Sequence, residues 1–177
     1  MTIQTYLELL LLSTVVLAAC NDLSTRRIPN LLLLCCGVGA VALRLAGPDP
    51  LGAMLHGLGG ALTGLVVFLP LYMLRGMAAG DVKLMATVGL FLSAGEAFEV
   101  AVMTVCAGGI MALVVVVWNR RLRDAGANVL SFLKPIWMSF GGVRLAAEPM
   151  PKPSVGSLPY GLAIASATLF FLAQRHC

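Results

Sequence analysis

The stretch LGAMLHGLGGALTGLVVFLPLYML, residues 51–74, decides the fold. It contains no Asp, Glu, Lys or Arg. A helix needs about 20 mainly apolar residues to cross the hydrocarbon core of a bilayer, and this run is long enough. It also carries Gly57, Gly60 and Gly64, the last two forming a G-x-x-x-G pair. Small residues at that spacing let membrane helices approach closely. Toward the N-terminus two more apolar segments follow, 2–20 and 30–46, the second ending at the turn-forming GPDP of residues 47–50. Toward the C-terminus come 81–93, which is short, then 98–118 and 158–173. The expectation is an all-α, polytopic integral membrane protein with six transmembrane helices in a single domain, 1–177. Its longest loop is 119–157.

Composition points the same way. The chain has 177 residues, 59% of them hydrophobic and 11% charged, with a mean hydropathy of +0.94. A soluble domain has roughly 45–50% apolar and about 25% charged residues. The net charge of +4 does not suggest nucleic acid, because the basic residues are not interleaved with aromatics. Membrane lipid is the expected surrounding. The five cysteines contain no C-x-x-C pair and no histidine at ligand spacing, so neither a metal nor a disulfide framework is expected. The N-terminus has no Lys or Arg ahead of its apolar run and reads as an anchor rather than a cleaved signal.

Basic residues orient membrane proteins with their positive loops in the cytoplasm. An external N-terminus places Arg26, Arg27, Arg75, Lys83, Arg120, Arg121, Arg123, Lys134, Arg144 and Lys152 inside, and leaves only Arg44 and Arg175 outside. Both termini are then external. One apolar stretch, 128–140, carries Lys134 and Pro135 and is too short to span. It reads as a strip in the headgroup layer anchored by Trp137.

Against this background two acids stand out. Asp22 follows the first span in NDLSTRRIPN, and Asp81 opens the fourth in AAGDVKL. Two crossings separate them, so both face the same leaflet whichever way the chain is oriented. Taken singly, Asp81 reads as a helix N-cap and Asp22 as a loop residue. Taken together they suggest chemistry. Two nearby carboxylates cannot both ionise and share a proton. One can act as general base on a water while the other donates to a peptide carbonyl, which hydrolyses an amide without a covalent intermediate. No alternative nucleophile–base pair is visible, and His56 and His176 lie toward the outer side. Helix dipoles favour charge at Asp81, which opens a helix, and disfavour it at Asp22, which follows one. That suggests Asp81 as the ionised base and Asp22 as the protonated partner.

The surrounding residues carry a resemblance. DLSTRRIPN resembles the D-x-x-x-x-x-I-P-N signature of type IV prepilin peptidases, AAGDVKLMA resembles their G-x-G-D-x-K segment, and LPYG at 158–161 is similar to their P-Y/F-G element. The six-span layout fits that family over nearly the whole chain. The resemblance implies that Asp22 and Asp81 are the catalytic pair of a membrane aspartic endopeptidase. Such an enzyme cleaves the short basic leader from prepilin-like proteins, whose apolar N-terminal helix enters the bilayer, at the cytoplasmic face of the bacterial inner membrane. It requires no cofactor. Ala78 replaces the first motif glycine, with Gly76 close by. Larger relatives carry a four-cysteine cytoplasmic loop and an amino-methylating activity, whereas only residues 22–29 fill that space here. The expectation is a peptidase without N-methyltransferase activity, similar to the minimal enzymes of tight-adherence (Flp-type) pilus systems.

Supporting roles fall to the motif residues. Gly80 lets another backbone pass close to Asp81, or simply turns the chain. Pro29 fixes its own φ and extends Ile28, and Asn30 can cap the second span. Lys83 points away from Asp81 and either snorkels to the interface or tunes the acid pair. Pro159, Tyr160 and Gly161 open the last span, where Tyr160 suits an aromatic belt as well as a site. Two rival readings remain open. A carboxylate-based ion or proton transporter expects acids near mid-membrane, and a non-catalytic pilus assembly factor expects no need for the pair. A presenilin-like protease shares G-x-G-D but not RIPN.

Overall fold

The computed structural model describes residues 3–73, 76–118 and 160–176. These hold six α-helices and no strand: α1 (Ile3–Thr25), α2 (Asn30–Leu45), α3 (Pro50–Met73), α4 (Ala79–Phe91), α5 (Ala94–Trp118) and α6 (Tyr160–His176). One helix lies over each apolar segment read from the sequence. α1, α3 and α5 are long and apolar enough to cross a membrane, and α2 is apolar but shorter. The described residues of Met1–Gly108 and Pro159–Cys177 form one unit; of a second, Gly109–Leu158, only the end of α5 is described. The 128–140 strip, the 119–157 loop and Pro159 lie outside the described residues.

The largest departure from the sequence reading is at the end of α1. The helix runs on past its apolar stretch to Thr25, so Asp22 sits on a helix and not in a loop. The polar residues there sustain the turn. Ser24 Oγ donates to the Cys20 carbonyl and Thr25 Oγ1 to the Asn21 carbonyl, each at 2.9 Å. The helix stops at Arg26, whose φ of 52° is left-handed and whose N–H donates to the Asp22 carbonyl at 2.9 Å.

α4 occupies the centre. It packs against α1, α2, α3 and α6, and its Leu84, Met85 and Val88 are fully buried. Many large apolar side chains point away from the core instead, including Leu51, Leu55, Leu58 and Leu62 along α3. An outward leucine stripe of that length suits hydrocarbon, where apolar exposure carries no penalty.

The 13 residues of α4 rise only about 20 Å, against a hydrocarbon core of about 30 Å. Two devices make so short a helix tenable. The first is backbone contact with α3. A Cβ placed at Gly60 would collide with the Gly89 carbonyl, one at Gly89 would collide with the Gly60 carbonyl, and one at Gly64 would lie 2.6 Å from the Met85 carbonyl. The G-x-x-x-G pair therefore packs as expected, with Gly60 against Gly89 and Gly64 against the Met85 backbone on α4. The second device is Arg44, read from the sequence as an outer topology charge. It is buried at the end of α2. Its Nε donates to the Leu90 carbonyl at 2.7 Å, Nη1 to the Ala53 carbonyl at 2.7 Å and Nη2 to the Leu92 carbonyl at 3.4 Å. A helix end leaves its last carbonyls without intrahelical partners. In an apolar surrounding each unsatisfied group costs several kcal/mol; the planar guanidinium serves two such carbonyls at the end of α4 and reaches a third, that of Ala53, in the first turn of α3.

Gly89→Ala should therefore destabilise the fold by about 1–3 kcal/mol or more, since the obstructing atoms are backbone and cannot swing aside. Gly95→Ala, with nothing within 4 Å of the new methyl, should be neutral; thermal unfolding in detergent micelles checks both. Arg44→Leu should lower stability by about 3 kcal/mol in the same assay. Arg44→Lys should restore only part of it, because an ammonium lacks the planar fork.

Candidate active site

Asp22 and Asp81 are both buried, at 7% and 5% exposure. Asp22 lies in the last turns of α1, and Asp81 in the first turn of α4. α1, α4 and α6 pack against one another in all three pairings. That brings together the end of α1 and the beginnings of α4 and α6. The two carboxylates are close enough to interact electrostatically, and Asp81 is likewise felt at the Tyr160 phenol.

Each carboxylate is held by a backbone amide at the start of a helix. Asp81 Oδ2 accepts the N–H of Ala78, the residue before α4, at 3.0 Å. This is half of a capping box: the acid reaches back to the cap residue, while Ala78 has no side-chain oxygen to return the favour. So Asp81 does serve its helix, but from the third position rather than as the cap. Asp22 Oδ2 accepts the Gly161 N–H at 2.8 Å, from the first turn of α6. Gly161 has to be glycine for this approach. A Cβ there would lie 2.8 Å from Asp22 Oδ2 and 2.9 Å from Asp22 Cβ.

These contacts remove the asymmetry expected from helix dipoles. Asp22 stands near the end of one helix but also at the start of another, so both acids receive a helix N-terminus. The sequence offered no ground for assigning the shared proton to Asp22 once this second helix is counted.

The motif residues join the elements around the pair. The Ile28 side chain packs over Gly80, where an added Cβ would be in ordinary contact at 3.6 Å. Gly80 therefore faces a side chain with room to spare, not the close backbone pass the sequence suggested. Pro29 is the extended cap residue of α2, with φ −63° and ψ 127° and no side-chain cap bond. Asn30 does not cap α2 but opens it, and its Oδ1 accepts Lys83 Nζ at 3.1 Å. Lys83 thus ties α4 to α2 across the exposed rim. Tyr160 lays its ring against Gly108 of α5, where an added Cβ would be 2.7 Å from Cε1.

At the opposite end of these helices lies a second polar cluster. Arg175 Nη1 lies 3.2 Å from Glu96 Oε1 and 3.9 Å from Glu8 Oε1, and His176 Nε2 lies 3.1 Å from Glu8 Oε2. Glu96 Oε2 also accepts the Ser93 N–H and hydroxyl, each at 2.8 Å, which caps α5. His176 is thereby tied to α1.

If the Lys83–Asn30 link holds α4 to α2, Asn30→Leu should cost at most about 1 kcal/mol, as expected for an exposed polar pair. Asn30→Asp should keep the link. A double-mutant cycle with Lys83→Met, read by thermal unfolding, checks the coupling.

Comparison with known proteins adds one match. The model of the type IV leader peptidase family matches residues 9–115, a stretch that includes both aspartates and the Ile28–Asn30 and Gly80–Lys83 segments. No curated protein and no solved structure matches the chain.

Proposed function

The chain belongs to the type IV leader peptidase family, and we propose that it is a membrane aspartic endopeptidase that removes the leader of Flp-type prepilins. Its family and its three long apolar helices make it a membrane protein and a peptidase-like hydrolase. The finer reading is ours. Six helices cross the bacterial inner membrane as a single domain, both termini are external, and the acid pair faces the cytoplasm. The enzyme has no N-methyltransferase activity.

The observation that carries this reading is the convergence of two buried aspartates, far apart in the chain, within electrostatic range of one another. In a low-dielectric site such a pair holds one proton between them. The ionised member takes a proton from water as its oxygen attacks the scissile carbonyl carbon. The protonated member donates to the carbonyl oxygen. Collapse of the tetrahedral species breaks the C–N bond as the proton taken from water passes to the departing amine, and the hydroxyl formed from the carbonyl returns its proton to the dyad. Nothing covalent forms between enzyme and substrate. Gly80, Lys83, Ile28, Pro29, Asn30, Pro159, Tyr160 and Gly161 support the pair. Among the described ones, Ile28, Asn30 and Lys83 knit the start of α2 to the start of α4.

An interfacial pair also fits the substrate class. A prepilin presents an apolar helix in the bilayer and a short basic leader outside it, so the cut falls where lipid gives way to water. Reaching both carboxylates requires an extended peptide, which a glycine at the junction permits.

Co-expression with a Flp-type prepilin should give a shortened product with the wild-type chain. Asp22→Ala and Asp81→Ala should each reduce processing by at least about 10²-fold, the usual contribution of general acid–base groups. Processing that survives replacement of both acids would refute the assignment.

A further inference from the structure

We propose that the amide of Gly161, at the start of α6, is the positioning group for Asp22: it fixes the carboxylate in the orientation that meets Asp81. The inference rests on the peptidase reading above and adds a part to it. Asp22 extends from a helix that ends just beyond it, at Arg26. An aspartate there has several rotamers open to it, and α1 alone does not choose among them. The 2.8 Å bond from the Gly161 N–H to Oδ2 is buried and joins residues 139 positions apart in sequence. It is therefore a tertiary choice of rotamer, made by α6. The absence of a side chain at 161 is what allows it, since a Cβ would lie 2.8 Å from Oδ2, 2.9 Å from Cβ and 3.1 Å from Cγ of Asp22. All three are contacts that real Cβ atoms scarcely make, and two of them involve the acid's own carbon atoms.

α6 itself is placed by contacts at both of its ends. The Tyr160 ring packs closely against Gly108 beside the site, and at the far end Arg175 and His176 meet Glu8 of α1. The spacing from Glu8 to Asp22 equals the spacing from Gly161 to Arg175, about four helical turns. The two antiparallel helices thus meet in one register at both ends. Sliding α6 by a turn would move the Gly161 N–H about 5 Å from its acceptor.

Gly161→Ala keeps the amide but drives a methyl into Asp22. Purified in detergent with a prepilin substrate, this variant should lose about 10²-fold in kcat, the scale set by a misplacement of about 1 Å. KM and the melting temperature should stay near those of wild type. Gly95→Ala serves as the control, because its methyl meets open space. Wild-type kcat in Gly161→Ala, or a loss that simply follows a lowered melting temperature, would overturn the inference. If Gly161→Ala does not fold, solid-state NMR on the wild-type chain decides. A one-hydrogen-bond dipolar coupling between the Gly161 amide nitrogen and Asp22 Cγ supports the contact, and its absence overturns it. The peptidase reading fails separately, by a wild-type chain that cuts no prepilin; the coupling still reports on the contact in that case.

Discussion

A polypeptide inside hydrocarbon has to satisfy its own backbone, because no water is there to do it. In this chain the constraint falls hardest on α4, which is too short to reach across the bilayer core and yet sits among four other helices. The solution is contact at the level of the main chain. Gly60 and Gly89 bring α3 and α4 together with nothing between their backbones, and Arg44 takes up the carbonyls where α4 ends. Either contact, if removed, would loosen the seat of the helix that carries Asp81. The placement of Asp81 at one end of α4 therefore depends on glycines and a guanidinium toward the other.

The same logic explains why the acid pair is built from three helices. A single helix cannot bring two carboxylates to one point while leaving room for a peptide between them. Here α1 delivers one acid at its end, α4 delivers the other at its beginning, and α6 arrives with a free amide. The Ile28–Asn30 connection turns the chain from α1 into α2 and, in passing, packs on Gly80 and receives Lys83. The short linker is thus a structural part of the site and not only a connection.

Much of this was legible in the residues. Helical segments of apolar sequence follow from composition and length, and each of the six was found where the apolar runs lie. The two aspartates stood out because a chain with so few charges rarely places acids at helix ends without a use for them. What could not be read was pairing across distance. Gly89 is one small residue in an apolar run, and nothing local says that Gly60 will meet it. Arg44 is one of two basic residues that the charge count leaves on the outer side, and nothing local shows that it turns inward to the end of α4. The apolar stretch stops at Cys20, which by hydropathy alone puts Asp22 in a loop, although the helix runs on through Ser24 and Thr25, whose hydroxyls bond back to its carbonyls. Gly161 was singled out by its motif, but its contact with Asp22 depends on how α6 docks. Hydropathy shows how long a helix is and does not show which faces will touch.

One choice of partners bears on the chemistry directly. A buried carboxylate can be steadied by a cation or by backbone amides. An ammonium or guanidinium beside it would favour the ionised form strongly enough to discourage a shared proton. An amide at a helix start carries only a partial charge. It orients an oxygen while leaving the pair free to pass its proton from one member to the other. Both aspartates are held in this second way. Lys83, two residues from Asp81, directs its ammonium to Asn30 instead, and Arg44 is spent on carbonyls at the far end of α4. Among these described contacts, Lys83 and Arg44 serve the scaffold while backbone amides orient the acids, a division that suits the proton-sharing dyad proposed above.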